Sequence, residues 1–141
     1  MIEFKLPIRP ATKKNSGQII QVKGRSILIP SKQYKQFEKD CLPFFKRIKS
    51  VTGQINYPVN IKCIFFMETK RRVDLPNLLN AIDDAMVYSG LLLDDNRDII
   101  AAHDGSRVFH NKLEPCIEVT ITKMQDYEQW KDTITMQNKL F

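Results

Sequence analysis

The sequence predicts a single compact domain built from both β-strands and α-helices. The chain has 141 residues, of which 43% are hydrophobic, and a chain of this size encloses one core rather than two. Several short segments alternate apolar with polar residues or are rich in β-branched and aromatic residues, which is typical of strands. Two longer segments repeat apolar residues at helical spacing. We therefore expect one sheet accompanied by helices.

The first part of the chain predicts a strand, a basic loop and a hairpin. Ile2–Leu6 alternates as a short strand does. The polar and basic stretch from 9 to 17 predicts a loop that is a candidate cationic arm. Gln18–Val22 and Ser26–Ile29 flank Gly24, which allows the tight turn of a hairpin.

A first helix is predicted to begin after Ser31, whose side chain is suited to cap it. Pro43 is a candidate kink in this helix. The helix also carries lysines, but these fit a solvated helix face better than a set of phosphate contacts, and we assign them no role. The apolar residues at helical spacing are Tyr34, Phe37, Cys41, Leu42, Phe45 and Ile48.

The middle of the chain predicts a strand followed by a second helix. Val59–Met67 has the strongest strand composition and leads into the basic run Lys70–Arg72. A helix is expected over Asp74–Tyr88, with Gly90 as its C-terminal cap. The acidic turn Asp94–Asp95 follows.

The last part of the chain predicts two more strands and a terminal helix. Asp98–Phe109 and Pro115–Lys123 are expected to complete the sheet. The tail segment Asp126–Asn138 is expected to be helical. We accordingly divide the chain into one domain over residues 1–124 and a helical tail over residues 125–141.

The composition favours a polyanionic partner in a reducing compartment. The 22 basic and 16 acidic side chains give a net charge of +6 and a pI near 9.3, although many basic proteins bind no nucleic acid. The three cysteines are far apart and form no CxxC pair, which excludes an obvious disulfide framework or zinc site. There is no apolar run of membrane-spanning length and no signal-peptide pattern. We expect a cytoplasmic protein with no membrane partner and no organic cofactor.

The second predicted helix carries a polar stripe opposite its apolar face. At 100° per residue from Asp74, the side chains of Asn77, Asn80 and Asp84 fall together between about 240° and 300°, with Asp74 at one edge. The simplest interpretation is a solvated helix face. Asp74 is then an N-cap, and Pro76 lies in the first turn, where its missing N–H costs nothing.

Charged residues on both sides of this helix favour a metal site instead. Lys70–Arg72 precedes Asp74, and Asp94–Asp95 follows Gly90. Carboxylates that are brought together repel each other unless a cation lies between them. Mg²⁺ takes one or two carboxylates together with water and substrate phosphate, and neighbouring Lys and Arg side chains bind phosphate. The pattern therefore predicts a Mg²⁺ site.

Residues 70 to 95 resemble the RusA family of Holliday junction resolvases. The family pattern is a basic run, Asp-x-Asp-Asn, a Lys four residues after the second Asp, an Asp inside the helix, a Gly and a final Asp-Asp. The residues that carry the likeness are the run KRRVDLPNLLNAIDDA from 70 to 85, Gly90 and Asp94–Asp95. The spacing from Asp74 to Asp95 matches without a gap.

The resemblance implies a fold, an assembly and an activity. The implied fold is α+β, with a small mixed β-sheet packed against two main helices, and the implied assembly is a homodimer. The implied activity is Mg²⁺-dependent hydrolysis, with Mn²⁺ as an alternative ion, that cuts four-way junctions or other branched DNA symmetrically in recombination and repair. One alternative is a catalytically silent branched-DNA-binding protein. Another is an unrelated domain whose acids are caps and turns.

Carried over position by position, the resemblance assigns catalytic and metal-binding roles to Asp74 and Asp95. Two positions depart from the family pattern. Pro76 stands where the family has its second catalytic aspartate, and Asn80 stands where it has a lysine. Proline offers no metal ligand, and asparagine carries no positive charge.

Other residues are candidates to complete the site. Asp84 and Asn77 match family positions on the polar stripe, Asp94 adjoins Asp95, and Asp104 lies on a neighbouring extended segment. Asp94 and Asp104 fit equally well as turn residues. The predicted metal ligands are Asp74, Asp84, Asp94 and Asp95, with Asn77, Asn80 and Asp104 as further candidates. The predicted DNA contacts are Lys13, Lys14, Lys70, Arg71 and Arg72.

The two histidines, His103 and His110, are interpreted as structural. A lone histidine in a strand is more often a packed side chain than a ligand. Neither lies in a Ser/His/Asp pattern or a zinc-ligand pattern.

Overall fold

Two helices pack against a mixed β-sheet, and a hairpin forms a second, two-stranded sheet. The computed structural model describes residues 1–13, 18–29 and 31–125. Within this part of the chain, the α+β class with a mixed sheet and two helices is confirmed. The elements in chain order are β1 (Ile2–Leu6), β2 (Gln18–Val22), β3 (Arg25–Ile29), α1 (Lys32–Thr52), β4 (Val59–Met67), α2 (Leu75–Tyr88), β5 (Ile100–Ala102), β6 (Arg107–His110) and β7 (Cys116–Lys123).

The strand β4 organises the main sheet. On one side β4 pairs antiparallel with β7, which in turn pairs antiparallel with β1. On the other side β4 is flanked by two short strands that run parallel to it, β5 near Val59 and β6 from Ile64 to Met67. A parallel neighbour requires a crossover connection, and α2 lies in that connection. The helix with the polar stripe thus links β4 to its parallel partners.

The core lies between one face of the sheet and the buried stripes of both helices. In β4, Val59, Ile61, Cys63 and Phe65 are buried while Lys62 is exposed, as the two-residue period of a strand requires. These residues join the buried residues of both helices in one cluster. The helical members are Tyr34, Phe37, Cys41 and Phe45 from α1, and Leu78, Ala81, Ile82, Ala85 and Met86 from α2.

The helix boundaries agree with the prediction. The Ser31 hydroxyl accepts a hydrogen bond from the Tyr34 N–H at 3.1 Å and so caps α1, while Pro43 lies inside the helix. Gly90 follows α2 with φ of +81°, the left-handed conformation that glycine favours. Asp74 occupies the cap position of α2, but its side chain accepts no capping hydrogen bond. The side chain of Asp74 therefore does not act as a conventional cap.

The predicted strand Asp98–Phe109 is wrong as a single element, because the structure has two short strands there. Between β5 and β6 the chain turns, with the Ser106 N–H donating to the His103 carbonyl at 3.2 Å. Gly105 has φ of +87° in this turn, which an extended strand does not allow. The break puts His103 directly after β5.

Two predicted features, Lys14 and the tail helix Asp126–Asn138, lie outside the described residues. The helices in the described ranges are all too short or too polar to cross a membrane.

Candidate functional site

Five of the predicted site residues line one pocket of about 260 Å³. The polar stripe of α2 forms its wall, Asp95 enters from the loop after α2, and Lys13 enters from the N-terminal segment. Helical spacing brings the stripe together, whereas the tertiary fold brings Lys13 across 71 residues to Asp84. We call this depression the acidic pocket. Its lining residues are Lys13, Asn77, Asn80, Asp83, Asp84 and Asp95.

Lys13 is held between the two helices. Its Nζ lies 2.6 Å from Oδ2 of Asp84 on α2 and 4.9 Å from the ring centre of Tyr34 on α1. Tyr34 is buried, and Pro10 and Ala11, which lie three and two residues before Lys13, are buried as well. These contacts fix a positive charge at the edge of an otherwise acidic surface.

Asp94 and Asp95 are neighbours with different surroundings. The Asp94 carboxylate accepts hydrogen bonds from the Asp95 N–H at 2.7 Å and the Asn96 side-chain amide at 3.1 Å. Asp94 thus has the turn geometry that was the alternative to metal binding. Asp95 lines the acidic pocket. Its pKa lies above the ordinary value through its contact with Asp94, then through partial desolvation and the charge of Asp84.

Asp74 lies beside the acidic pocket and does not line it. The Asn77 side-chain amide, which does line the pocket, donates to Oδ2 of Asp74 at 3.4 Å. Both Asp74 and Pro76 are exposed at the start of α2. The first acid of the family pattern is therefore adjacent to the pocket, one helical turn from Asn77 and Leu78.

A buried pair, Asp83 with His103, was missed by sequence reasoning. His103 Nε2 lies 2.8 Å from Oδ2 of Asp83, and its Nδ1 lies 2.8 Å from the carbonyl oxygen of Ile61. The Asp83 residue is 7% exposed, and its Oδ1 has no hydrogen-bond partner among the described residues. His103 contacts the backbone of β4 through Ile61, and it also holds a carboxylate that lines the acidic pocket.

Burial and mutual attraction both perturb the Asp83–His103 pair. Burial raises the pKa of Asp83, and the hydrogen bond from His103 offsets this rise only in part. For His103, burial is the largest single influence and lowers the pKa, but the hydrogen bond and charge of Asp83, with smaller contributions from the Ile61 carbonyl and Asp104, together raise the pKa above its ordinary value. Helical spacing puts Asp83 at about 180° on the wheel, at the border of the apolar face. That border position was the one sequence signal for it.

Asp104 and His110 do not line the acidic pocket. The Asp104 N–H donates to the Asn60 side-chain oxygen at 2.8 Å, and the Asn60 amide donates to the Asp104 carbonyl at 3.3 Å. Asp104 is therefore a residue of the turn between β5 and β6. His110 Nε2 lies 3.2 Å from the carbonyl oxygen of Glu68, which fits the structural role predicted for it.

A cationic cleft adjoins the acidic pocket along the N-terminal segment. This depression of about 320 Å³ is lined by residues from 9 to 12 and by Arg71 and Arg72, and the next residue, Lys13, lines the acidic pocket. We call it the arginine cleft. Arg9 is paired with Glu68 at 2.9 Å. Lys70 is exposed beside the cleft and does not line it.

The donor atoms of the acidic pocket suit a hard divalent cation. Asp84 and Asp95 offer carboxylate oxygens, Asn77 and Asn80 offer amide oxygens, and Mg²⁺ prefers oxygen donors with several retained waters. In the present arrangement no three His, Cys, Asp or Glu side chains of the described ranges converge as a metal centre. Because Mg²⁺ needs only one or two carboxylates, the donor set fits it without such a cluster.

No family model matches the sequence, and no curated protein matches it.

Proposed function

We propose that the protein is a Mg²⁺-dependent endonuclease of branched DNA, with four-way junctions as its principal substrate. The observation that carries the proposal is the acidic pocket beside the arginine cleft. Carboxylates, amides and a lysine share one pocket, and arginines line the depression next to it. The ungapped resemblance from Asp74 to Asp95 supports the same activity.

Each group of side chains has a distinct part in this proposal. Asp84 and Asp95 would hold the cation, with Asn77 and Asn80 as neutral oxygen donors and Asp74 at the outer edge. A bound Mg²⁺ or Mn²⁺ supplies an activated water and neutralises charge on the scissile phosphate. Lys13 stands where it can contact the same phosphate, since its ion pair with Asp84 already holds its Nζ at the pocket.

The arginine cleft is proposed to hold the flanking DNA backbone. Arg71 and Arg72 are exposed and line the cleft, and guanidinium groups bind phosphates in a bidentate manner. Contacts of this kind recognise charge and backbone shape and carry no direct sequence information. A structure-selective nuclease needs that type of recognition.

The proposed activity requires a homodimer, because two symmetric cuts need two sites related by a two-fold axis. The hairpin β2–β3 supports a second copy of the chain as partner. It forms its own sheet, and a two-stranded hairpin without further packing is marginally stable in water. Large apolar side chains on it are exposed, namely Ile19, Ile20, Val22, Ile27 and Leu28.

A second candidate function is binding of branched DNA without cleavage. Pro76 and Asn80 remove a ligand and a positive charge that the family pattern has. Asp84 is already neutralised by Lys13 at 2.6 Å. These observations favour a protein that keeps the cationic surface and the dimer while lacking the chemistry.

Cleavage of a synthetic mobile four-way junction distinguishes the two functions. The purified protein is incubated with the junction in Mg²⁺, in Mn²⁺ and in EDTA, beside a linear duplex of the same sequence. We expect paired, symmetric, metal-dependent nicks in the junction, which Asp95→Asn abolishes while leaving binding intact. Asp98→Asn, an exposed acid outside the pocket, is the matched control and should cut normally.

Other results assign the protein differently. Junction binding without any nick in either metal supports the silent binding protein. Neither binding nor cleavage contradicts both candidates and leaves the acids as caps and turns.

A further inference from the structure

We propose that Asp83 is a further ligand of the cation site in the acidic pocket and that His103 is the residue that positions it. This inference rests on the cation of the proposed function, but it concerns a residue for which the resemblance implies no role. It is carried by the geometry of a buried carboxylate with one oxygen engaged by His103 and the other without a hydrogen-bond partner among the described residues.

His103 cannot itself bind a cation in this arrangement, because both of its ring nitrogens are engaged. The carbonyl oxygen of Ile61 can only accept, so the Nδ1 at 2.8 Å carries a hydrogen and donates it. Nε2 faces Oδ2 of Asp83 at 2.8 Å. The ring therefore fixes the orientation of the Asp83 carboxylate, in the way that outer residues orient metal ligands.

The second carboxylate oxygen of Asp83, Oδ1, is buried and has no hydrogen-bond partner among the described residues. The Asp83 side chain is 10% exposed. A buried polar atom without a partner is energetically unfavourable, and more so when it is charged. Native structures satisfy such atoms with protein, water or an ion. Asp83 lines the acidic pocket, and a water molecule or an ion bound in this pocket can be the partner of its free oxygen.

A cation satisfies this carboxylate better than a water molecule does. Asp84 and Asp95 line the same pocket, and their charges add to the burial that disfavours ionised Asp83. A divalent cation offsets the repulsion of all three acids at once. Asp83 with Asp95 and retained waters would satisfy Mg²⁺ even while Lys13 occupies Asp84.

A purely structural pair would have a different signature. The contact between Asp83 and His103 joins α2 to the end of β5. If this contact were purely structural, it would contribute to folding stability alone. A ligand and its positioning residue contribute to cation affinity as well. The two roles separate when affinity and stability are measured on the same variants.

The test is Mn²⁺ affinity of the full chain without DNA, from the electron paramagnetic resonance signal of free Mn²⁺. We expect Asp83→Asn to weaken Mn²⁺ binding at least roughly tenfold and His103→Gln to weaken it by a similar or smaller factor. Asp98→Asn, an exposed acid outside the pocket, is the control and should bind Mn²⁺ as the unsubstituted protein does. Thermal melting in EDTA verifies that each variant is folded.

The inference is overturned if folded Asp83→Asn binds Mn²⁺ as tightly as the protein without substitutions. It is also overturned if the protein without substitutions binds no Mn²⁺. If Asp83→Asn does not fold, His103→Gln decides the question by the same criterion. Failure here is separable from failure of the proposed function. If Asp83→Asn has normal Mn²⁺ affinity and the protein without substitutions cleaves the junction, only the assignment of Asp83 as a ligand is contradicted. If Mn²⁺ binding depends on Asp83 but no junction is cleaved, only the proposed nuclease activity is contradicted.

Discussion

Lys13 brings a positive charge into the acidic pocket, which Asn80 also lines. Asn80 and Lys13 line the same pocket, although one lies on α2 and the other precedes the hairpin. The ion pair with Asp84 and the ring of Tyr34 together restrict where the ammonium group can lie. A phosphate that enters the pocket would therefore meet a positioned cation, and the position of that cation is set by the fold and not by helical spacing.

Replacement of Lys13 by glutamine should slow junction cleavage by roughly tenfold to a hundredfold in single-turnover assays, because a positioned cation at a reacting phosphate is lost. The double variant Lys13→Gln with Asn80→Lys should recover part of the rate. Lys32→Gln, which removes the same charge from an exposed position on α1, is the control. Equal losses in Lys13→Gln and Lys32→Gln would mean that only net charge matters.

Helical spacing predicted three of the four α2 residues that line the acidic pocket, but it predicted neither Asp83 nor the residues from other elements that complete the pocket. Asn77, Asn80 and Asp84 are separated by three and four residues, so their grouping follows from the helix alone. The contact of Asp83 with His103 spans 20 residues and depends on how α2 packs against the sheet. Local pattern carries no information on such a contact.

Composition and cap residues predicted the limits of most helices and strands, whereas the break between β5 and β6 and the pairing of the strands depend on tertiary contacts. β1, β2 and β4 have the predicted limits, and α2 begins one residue after the expected start. The break between β5 and β6 was not predicted, since a glycine within an extended segment also fits a bulge. Pairing order was equally out of reach, because β5 and β6 both join β4 across more than 30 residues of chain.

The hairpin β2–β3 should control the oligomeric state. Ile19 and Leu28 are cross-strand partners, each 72% exposed, and burial of two such side chains stabilises an interface by about 3–6 kcal/mol. We expect Ile19→Lys with Leu28→Lys to weaken dimerisation at least roughly a hundredfold, as measured by sedimentation equilibrium.

The matched control for the hairpin is Val51→Lys with Leu113→Lys. These residues are 83% and 95% exposed and lie outside the hairpin. Both double variants should keep the melting temperature of the α+β body if the hairpin acts through the partner. A dimer that survives Ile19→Lys with Leu28→Lys would place the interface on another surface.

The N-terminal segment contributes residues to both the arginine cleft and the acidic pocket. Residues 9 to 12 line the arginine cleft, and Lys13 follows them into the acidic pocket. Three of the basic residues behind the net charge of +6 line these two depressions, since Lys13 lines the acidic pocket and Arg71 and Arg72 line the arginine cleft. In a dimer both depressions would be doubled, which suits a substrate with several duplex arms.

Affinity for a four-way junction should consequently fall steeply with salt. Three cations per protomer, Lys13, Arg71 and Arg72, give about six phosphate contacts in a dimer, so the slope of log K against log salt should be about −5. Between 50 and 200 mM salt the affinity should then drop by about a thousandfold, measured by fluorescence anisotropy in EDTA to prevent cleavage. Arg71→Gln should make the slope shallower by about two in the dimer, whereas Lys32→Gln on α1 should leave it unchanged. A salt-independent affinity, or an equal effect of the two substitutions, would show that the arginine cleft does not contact the DNA backbone.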